Sequence, residues 1–270
     1  MNFDYKKLFN YKEIIFLIFY CTILISFFLN EDTLGGAKHD FLTHYKFSQA
    51  FNNNFSQTFE MFSGRNSPIF WIILGFLDKI FTVETIRLLN SLCSLLIAIF
   101  LYKCLLLKFK NQKKILLVFL STIIFLSPTI RSLSIWPYGL IWGLLFFIIS
   151  IYYFLKFQKI TNNKINFTIS IKALSFLILS SYMHPSFAVF SIYFFFHIYK
   201  KFKFSQKLYL LLIYSFLLSI PAIYYIFDKE VLKHFASAQG FGIEIGVGFS
   251  DLINLSNKIM IISTIFLFFI

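Results

Sequence analysis

The fold of this chain is decided by stretches such as residues 85–107, TIRLLNSLCSLLIAIFLYKCLLL, which are followed at once by the basic segment KFKNQKK at residues 108–114. A helix needs about 20 apolar residues to cross a bilayer, and Lys and Arg near the ends of such helices are retained on the cytoplasmic side. Because lysine clusters recur between apolar runs, an even number of crossings must separate each cluster from the next. The other clusters are Lys6/Lys7/Lys12, Lys156/Lys159/Lys164 and Lys200/Lys201/Lys203/Lys207.

The composition indicates a protein that uses lipid as its solvent. Apolar residues make up 58% of the chain and its mean hydropathy is +0.75, values that exclude a water-soluble domain. A net charge of +13 suggests nucleic acid as a partner in soluble proteins, but here the basic residues lie at span ends, where they set orientation and contact membrane lipids. We therefore expect a multi-pass protein of a bacterial inner membrane, with a cytoplasmic N-terminus and no nucleic-acid partner.

Parity and length together predict an all-α fold, a polytopic transmembrane helical bundle of about eight spans. Phe167–Tyr199 is long enough for two crossings, and we expect it to turn at Tyr182–Ser186. The last run, Ile259–Ile270, is too short to cross a bilayer. We therefore expect residues 1–270 to be a single integral membrane domain that is truncated at its C-terminal end. The other predicted spans are Ile14–Leu29, Thr85–Leu107, Ile115–Ile130, Tyr138–Leu155 and Leu208–Phe227.

The first extracytoplasmic loop, residues 30–67, is long and polar. Within it, Asp40–Phe59 can form an interfacial helix. Pro68–Phe81 is apolar but short for a full crossing, so we expect a second helix at the outer face, with Pro68 in its first turn and Ser67 as a candidate cap. The other predicted outer loops are Arg131–Pro137 and the glycine-rich residues 228–257.

Polar side chains that could do chemistry collect in these outer loops, and the most informative pair is Asp40 and His44. The two residues are four apart, so both project from one face of a helix. The carboxylate can act as a general base that the imidazole tunes. The pair can instead supply two ligands to a divalent metal, although two ligands make a weak site, or Asp40 can cap the helix beside a solvated histidine. We predict no resident metal and no cofactor.

Arg65 and Arg131 are the outer arginines that topology explains least. A guanidinium at headgroup level is well shaped to hold the phosphate of a lipid, although each arginine can also snorkel to membrane phosphates. The sequence Trp136-Pro137-Tyr138 is typical of an aromatic interfacial belt and can also stack against a sugar ring. Further candidate site residues are Asp32, His39, His184 and Glu244.

Several short motifs give the first half of the chain a resemblance to the GT-C superfamily of polytopic glycosyltransferases. These motifs are Asp40 in the first outer loop, SPIFW at residues 67–71, IRLL at residues 86–89 and LSPTIRS at residues 126–132. The resemblance covers about residues 1–150 and implies a polyprenyl-phosphate sugar as donor and a glycan, lipid or protein as acceptor. It implies that Asp40 is the catalytic or acceptor-orienting aspartate of the first outer loop, with Asp32 as second choice.

The chemistry that this resemblance implies is an inverting displacement at the anomeric carbon. Asp40 would deprotonate the acceptor hydroxyl, Arg131 or Arg65 would stabilise the departing lipid phosphate, and His44 or His184 would position groups. Several members of the superfamily carry acidic residues in the second outer loop, whereas residues 131–139 of this chain contain none. A metal-dependent mechanism is therefore not expected.

Two other functions remain open from the sequence. A polysaccharide polymerase or ligase also acts outside on polyprenyl-linked glycans, and the turn at His184 would suit that class. A transporter or a non-catalytic membrane component is the second alternative, but transporters place ionisable groups near the middle of the membrane. The predicted spans carry almost no such groups, which argues against ion coupling.

Overall fold

The computed structural model describes residues 11–33, 36–61, 68–160, 163–187 and 189–214. All regular structure within these residues is helical, and residues 204–214 are helical as well. All of the described residues belong to the first of the two units into which the chain divides. The labelled helices are α1 (Tyr11–Leu29), α2 (Ala37–Asn53), α3 (Phe55–Met61), α4 (Ile69–Asp78), α5 (Val83–Lys108), α6 (Lys114–Thr122), α7 (Pro128–Ile135), α8 (Gly139–Lys159), α9 (Asn163–Met183) and α10 (Val189–Tyr199).

Four of the described helices are long and apolar enough to cross a membrane, namely α1, α5, α8 and the segment Asn166–Met183 of α9. The protein is therefore a multi-pass integral membrane protein with an all-α fold, and this prediction is confirmed. A fifth crossing is present if the bent pair formed by Lys114–Leu126 and Pro128–Ile135 counts as one span. The predicted total of eight includes Ile259–Ile270 and most of Leu208–Phe227, which lie outside the described residues, as does the loop at 228–257.

The predicted span Ile115–Ile130 is bent by 73°, at the break between Leu126 and Pro128. A 3₁₀ turn, Ile123–Leu126, follows α6, and the hydroxyl of Ser127 then accepts a hydrogen bond from the backbone of Ile130 and caps a new helix. Pro128 occupies the first position of α7, where its missing N–H costs nothing. The predicted second outer loop, Arg131–Pro137, is accordingly helical for most of its length.

The outer helices also differ in detail from the sequence prediction. The expected single helix over Asp40–Phe59 is divided at Asn54 into α2 and α3. Pro68 is the N-cap residue of α4 and does not lie in its first turn, while Ser67 lies outside the described residues. The expected hairpin turn is present, because α9 ends at Met183 and a 3₁₀ turn follows at Pro185–Phe187.

The lysine-rich connections meet at one end of the bundle, which we call the basic end. It contains the α5–α6 loop, the C-terminus of α8 and the chain after α10. The ammonium group of Lys159 donates a hydrogen bond to the carbonyl of Leu107, and Lys201 Nζ lies 4.8 Å from the centroid of the Phe157 ring. The connections α1–α2, α7–α8 and α9–α10 lie at the opposite end.

Serine and asparagine side chains tie the long helices together inside the bundle. Ser150 and Ser180 donate to the carbonyls of Ala173 and Gly143, which joins α8 to α9. Asn90 of α5 donates to the carbonyls of two residues in α7 and accepts a bond from Trp142 of α8. These bonds satisfy polar groups that lipid cannot solvate and fix the position of α7 after its bend.

Candidate functional site

An ion pair, which we call the Glu31–Arg131 latch, joins the chain after α1 to α7. It lies at the end of the bundle opposite the basic end. Arg131 donates from Nε and Nη2 to the two carboxylate oxygens of Glu31, each at 2.9 Å, and from Nη1 to the carbonyl of Leu126 at 2.9 Å. Ser26 donates to the same carboxylate. The hydrogen bonds from Arg131 hold the pKa of Glu31 below its usual value.

A buried arginine, Arg87, lies beside the latch. Its guanidinium carbon lies 3.8 Å from the centroid of the Trp136 ring, and its nitrogens donate to the carbonyl of Ile135 and to the side chain of Asn30. Trp136 in turn donates to the carbonyl of Glu31 at 3.0 Å. The segment after α1 is therefore held against α7 by the bond from Arg87 to Asn30 and by the bond from Trp136 to Glu31. Sequence reasoning treated Arg87 only as part of a motif, although an arginine within an apolar run signals that it needs partners.

Four rings from four elements form a line at the opposite end, which we call the imidazole–aromatic row. The centroid of the His44 ring lies 5.0 Å from that of Trp71 and 5.2 Å from that of Tyr138. The Tyr138 ring lies 6.2 Å from that of His184. The row thus brings His44 of α2 and His184, which follows α9, to the same tyrosine.

Two glycines allow the helices that carry the row to approach each other. A Cβ atom on Gly139 would lie 2.5 Å from the carbonyl oxygen of Met183, so the start of α8 touches the end of α9 and places Tyr138 beside His184. A Cβ on Gly75 would lie 2.7 Å from the carbonyl oxygen of Ser48, so α2 lies directly on α4. Neither close approach can be recognised from the sequence, where both glycines simply interrupt apolar runs.

The protonation of the two histidines follows from their partners. Trp71 Nε1 donates to Nδ1 of His44, and the backbone N–H of Ser186 donates to Nδ1 of His184 at 3.4 Å. Each neutral imidazole therefore carries its proton on Nε2, where it is a donor. Burial lowers the pKa of His44, against the opposing effect of Asp40, and burial also lowers the pKa of His184. Because the unperturbed pKa of histidine is about 6.5 and burial lowers it here, the neutral form of both rings is favoured at pH 7.

Asp40 lies one turn before His44 in α2, with its side chain exposed. The alternative in which Asp40 caps α2 is not supported, because the N-cap residue is Gly36 and no side chain forms a cap hydrogen bond there. The carboxylate is close enough to His44 to raise its pKa. Asp40 and His44 therefore lie one turn apart on α2, as their spacing predicted.

A second contact between α2 and α4 was missed by sequence reasoning. The hydroxyl of Tyr45 donates to the carboxylate of Asp78, and the amide of Asn52 donates to the carbonyl of Gly75 at 2.7 Å. Burial and the Asp78 carboxylate raise the pKa of Tyr45 to about 12. These two bonds fix the face of α2 that carries His44 against α4.

The structure gives Arg131, Asp32 and His39 partners or positions of their own. Arg131 is paired with Glu31, and Asp32 accepts a hydrogen bond from the backbone N–H of Lys38 at 3.2 Å. His39 is exposed on α2. Among the residues that the structure describes, no group of three or more His, Cys, Asp and Glu side chains could hold a metal ion. Arg65 and Glu244 lie outside the described residues.

The fold thus defines the class, a multi-pass membrane protein. The Glu31–Arg131 latch and the imidazole–aromatic row lie at the same end of its helical bundle. Comparison with family models, with curated proteins and with solved structures gives no match. The function must therefore be argued from the site itself.

Proposed function

We propose that the protein is a membrane glycosyltransferase that transfers a sugar from a polyprenyl-phosphate donor to an acceptor hydroxyl at the extracytoplasmic face. The observation that carries this proposal is the exposed Asp40 carboxylate one turn from His44, which belongs to the imidazole–aromatic row together with Tyr138 and His184. It combines a proton acceptor, two imidazole N–H donors and aromatic rings in one place.

The proposed orientation follows from the lysines. The basic end carries the α5–α6 loop and the ends of α8 and α10, and such residues are retained in the cytoplasm. The N-terminus is then cytoplasmic, and Asp40 lies outside, at headgroup level in a bacterial inner membrane. A lipid-linked donor presents its phosphate at that level, and no nucleotide-binding domain is needed.

In the proposed reaction the acceptor oxygen forms a bond to the anomeric carbon while the bond from that carbon to the phosphate oxygen breaks. The electron pair of the broken bond leaves with the polyprenyl phosphate, and Asp40 takes the proton of the acceptor hydroxyl. The Nε2–H groups of His44 and His184 can donate to sugar or phosphate oxygens. The ring of Tyr138 lies between them and offers an apolar face for the sugar.

In this proposal Arg131 binds the lipid phosphate with only part of its guanidinium group. Three of the five guanidinium N–H groups are used by Glu31 and Leu126. The side chain is still 22% exposed, so two N–H groups can reach a phosphate while the latch stays closed. Glu31 then orients the guanidinium and does not compete with the lipid.

The proposal is tested by the transfer of radiolabelled sugar from a panel of polyprenyl-phosphate donors in membranes that carry the protein. Asp40→Asn should reduce transfer about 10²–10⁴-fold, the usual effect of removing a general base, at unchanged expression. Asp32→Asn is the matched control, since it makes the same chemical change in the same outer segment, and should leave transfer within about twofold.

Other results of this transfer assay would assign the base or the function differently. Loss of transfer in Asp32→Asn but not in Asp40→Asn would assign the base to Asp32. Loss on Arg65→Gln with Asp40→Asn unaffected would favour a polysaccharide polymerase or ligase. Absence of transfer by the wild type with every donor would contradict the glycosyltransferase proposal.

A further inference from the structure

The loop between α5 and α6 forms a recess at the basic end. Its cavity of about 370 Å³ is lined by Lys108, Phe109, Lys110, Asn111 and Gln112. This volume lies at the lower end of the range of about 300–1,000 Å³ that small-molecule sites occupy. All five residues are exposed, and the turn is closed by a hydrogen bond from the backbone N–H of Gln112 to the carbonyl of Phe109 at 3.4 Å.

Few carboxylates compensate the positive charge around this recess. No Asp or Glu occurs between Glu84 and Asp228, a segment that contains the recess and the lysines of the α8 and α10 ends. Glu13, in the first turn of α1, is the one carboxylate that the described residues place toward this end. A cluster of ammonium groups with so few acidic neighbours is stabilised by anions from outside the chain.

The end of α8 adds further charge beside the recess. Lys159 donates a hydrogen bond to the carbonyl of Leu107, in the last turn of α5, which anchors the two helix ends to each other. Lys159 is also close enough to Lys110 for their like charges to interact. Like charges held this near each other favour an anion that can contact both of them.

The side chains of the recess match one kind of ligand. Ammonium groups contact a phosphate as point charges, and the amides of Asn111 and Gln112 can bond headgroup hydroxyls. Phe109 is 40% exposed and offers an apolar wall, while exposed apolar side chains of α5 and α6 continue from the recess along the membrane-facing surface, among them Leu96, Ile115, Leu116 and Phe119. A ligand with a phosphate head and acyl chains satisfies both parts at once.

We infer that this recess binds the phosphodiester headgroup of an anionic membrane phospholipid, with Lys108 and Lys110 as its principal ligands. The lipid neutralises the lysines of the α5–α6 loop, and its chains lie along α5 and α6. This site is separate from the Asp40 site, because it lies at the other end of the bundle.

The test measures phosphatidylglycerol binding to the purified full chain by native mass spectrometry, with phosphatidylcholine as the neutral comparison. Each lysine near an anionic lipid is worth about fivefold in affinity. Lys108→Gln combined with Lys110→Gln should therefore raise the dissociation constant about 25-fold, whereas Lys108→Arg with Lys110→Arg should keep it within about threefold.

Lys200→Gln with Lys203→Gln is the matched control, because it removes the same charge from the same end but outside the recess, and should change the dissociation constant less than about threefold. Equal weakening by both Gln pairs would overturn the inference in favour of diffuse attraction. Equal binding of the two lipids would overturn it as well. Displacement of the lipid by millimolar inorganic phosphate would show that a free phosphate is the ligand.

Discussion

Removing the Glu31–Arg131 latch should measurably destabilise the fold. The carboxylate of Glu31 accepts two hydrogen bonds from Arg131 and one from Ser26. Breaking a fully buried pair costs about 3–5 kcal/mol, and an exposed pair is worth about 0.2–1 kcal/mol. The two side chains are 22% and 24% exposed, so we expect each of Glu31→Gln and Arg131→Gln to lower the free energy of unfolding by about 2 kcal/mol.

The interaction itself is isolated by a double-mutant cycle. Unfolding in mixed micelles with increasing sodium dodecyl sulfate can be followed by tryptophan fluorescence, since Trp136 donates to the carbonyl of Glu31. The double variant should lose less than the sum of the single losses, with a coupling energy of about 1.5 kcal/mol. Asp32→Asn, one residue from Glu31, should cost no more than about 0.5 kcal/mol.

A coupling energy below about 0.5 kcal/mol would refute this reasoning, because the bidentate geometry would then contribute no more than an ordinary surface pair. The stabilisation by the latch also depends on pH. The pKa of Glu31 is lowered in the folded state, so the stabilisation is present above its unfolded pKa and is lost as pH falls through the folded one.

Two further predictions concern the row and its supports. The pKa values of His44 and His184 are lowered in the folded state, so the stability that the two neutral rings contribute is present above the unfolded pKa and is lost on acidification. Moving from about pH 7.5 to about pH 5.5 should therefore lower the Tm of the wild type more than that of the His44→Gln/His184→Gln variant. Equal shifts in Tm would contradict this. Gly139→Ala should lower the free energy of unfolding by about 2 kcal/mol, since its Cβ would lie 2.5 Å from a backbone carbonyl oxygen. Gly36→Ala is the control, because a Cβ there would have nothing within 4 Å, and it should be neutral in the same denaturation assay. Equal effects of the two substitutions would show that α8 and α9 adjust freely.

Sequence patterns predicted the long helices well because length and flanking lysines report directly on membrane crossing. The spans α1, α5 and α8 could be predicted from their own apolar runs, without knowing which helices they pack against. The bend before α7 was missed, although Pro128 marks it, because the apolar run continues through Ser127. Hydropathy does not register a change of direction within an apolar run.

The site could be predicted only in part, because its residues are brought together by packing over long sequence distances. The spacing of Asp40 and His44 is a local property of one helix and was visible. The pairing of Glu31 with Arg131 spans 100 residues and depends on the bend that precedes α7. The approach of His184 to Tyr138 depends on the contact at Gly139, which no residue pattern records.

The most direct test of the proposed function is sugar transfer by the purified protein in proteoliposomes that contain one synthetic polyprenyl-phosphate hexose as the sole donor. We predict that mass spectrometry detects both free polyprenyl phosphate and a new glycoside with the wild type, and that both products fall together in Asp40→Asn. Recovery of intact donor from the wild type across all donors and acceptors tried, or equal product formation by Asp40→Asn, would contradict it.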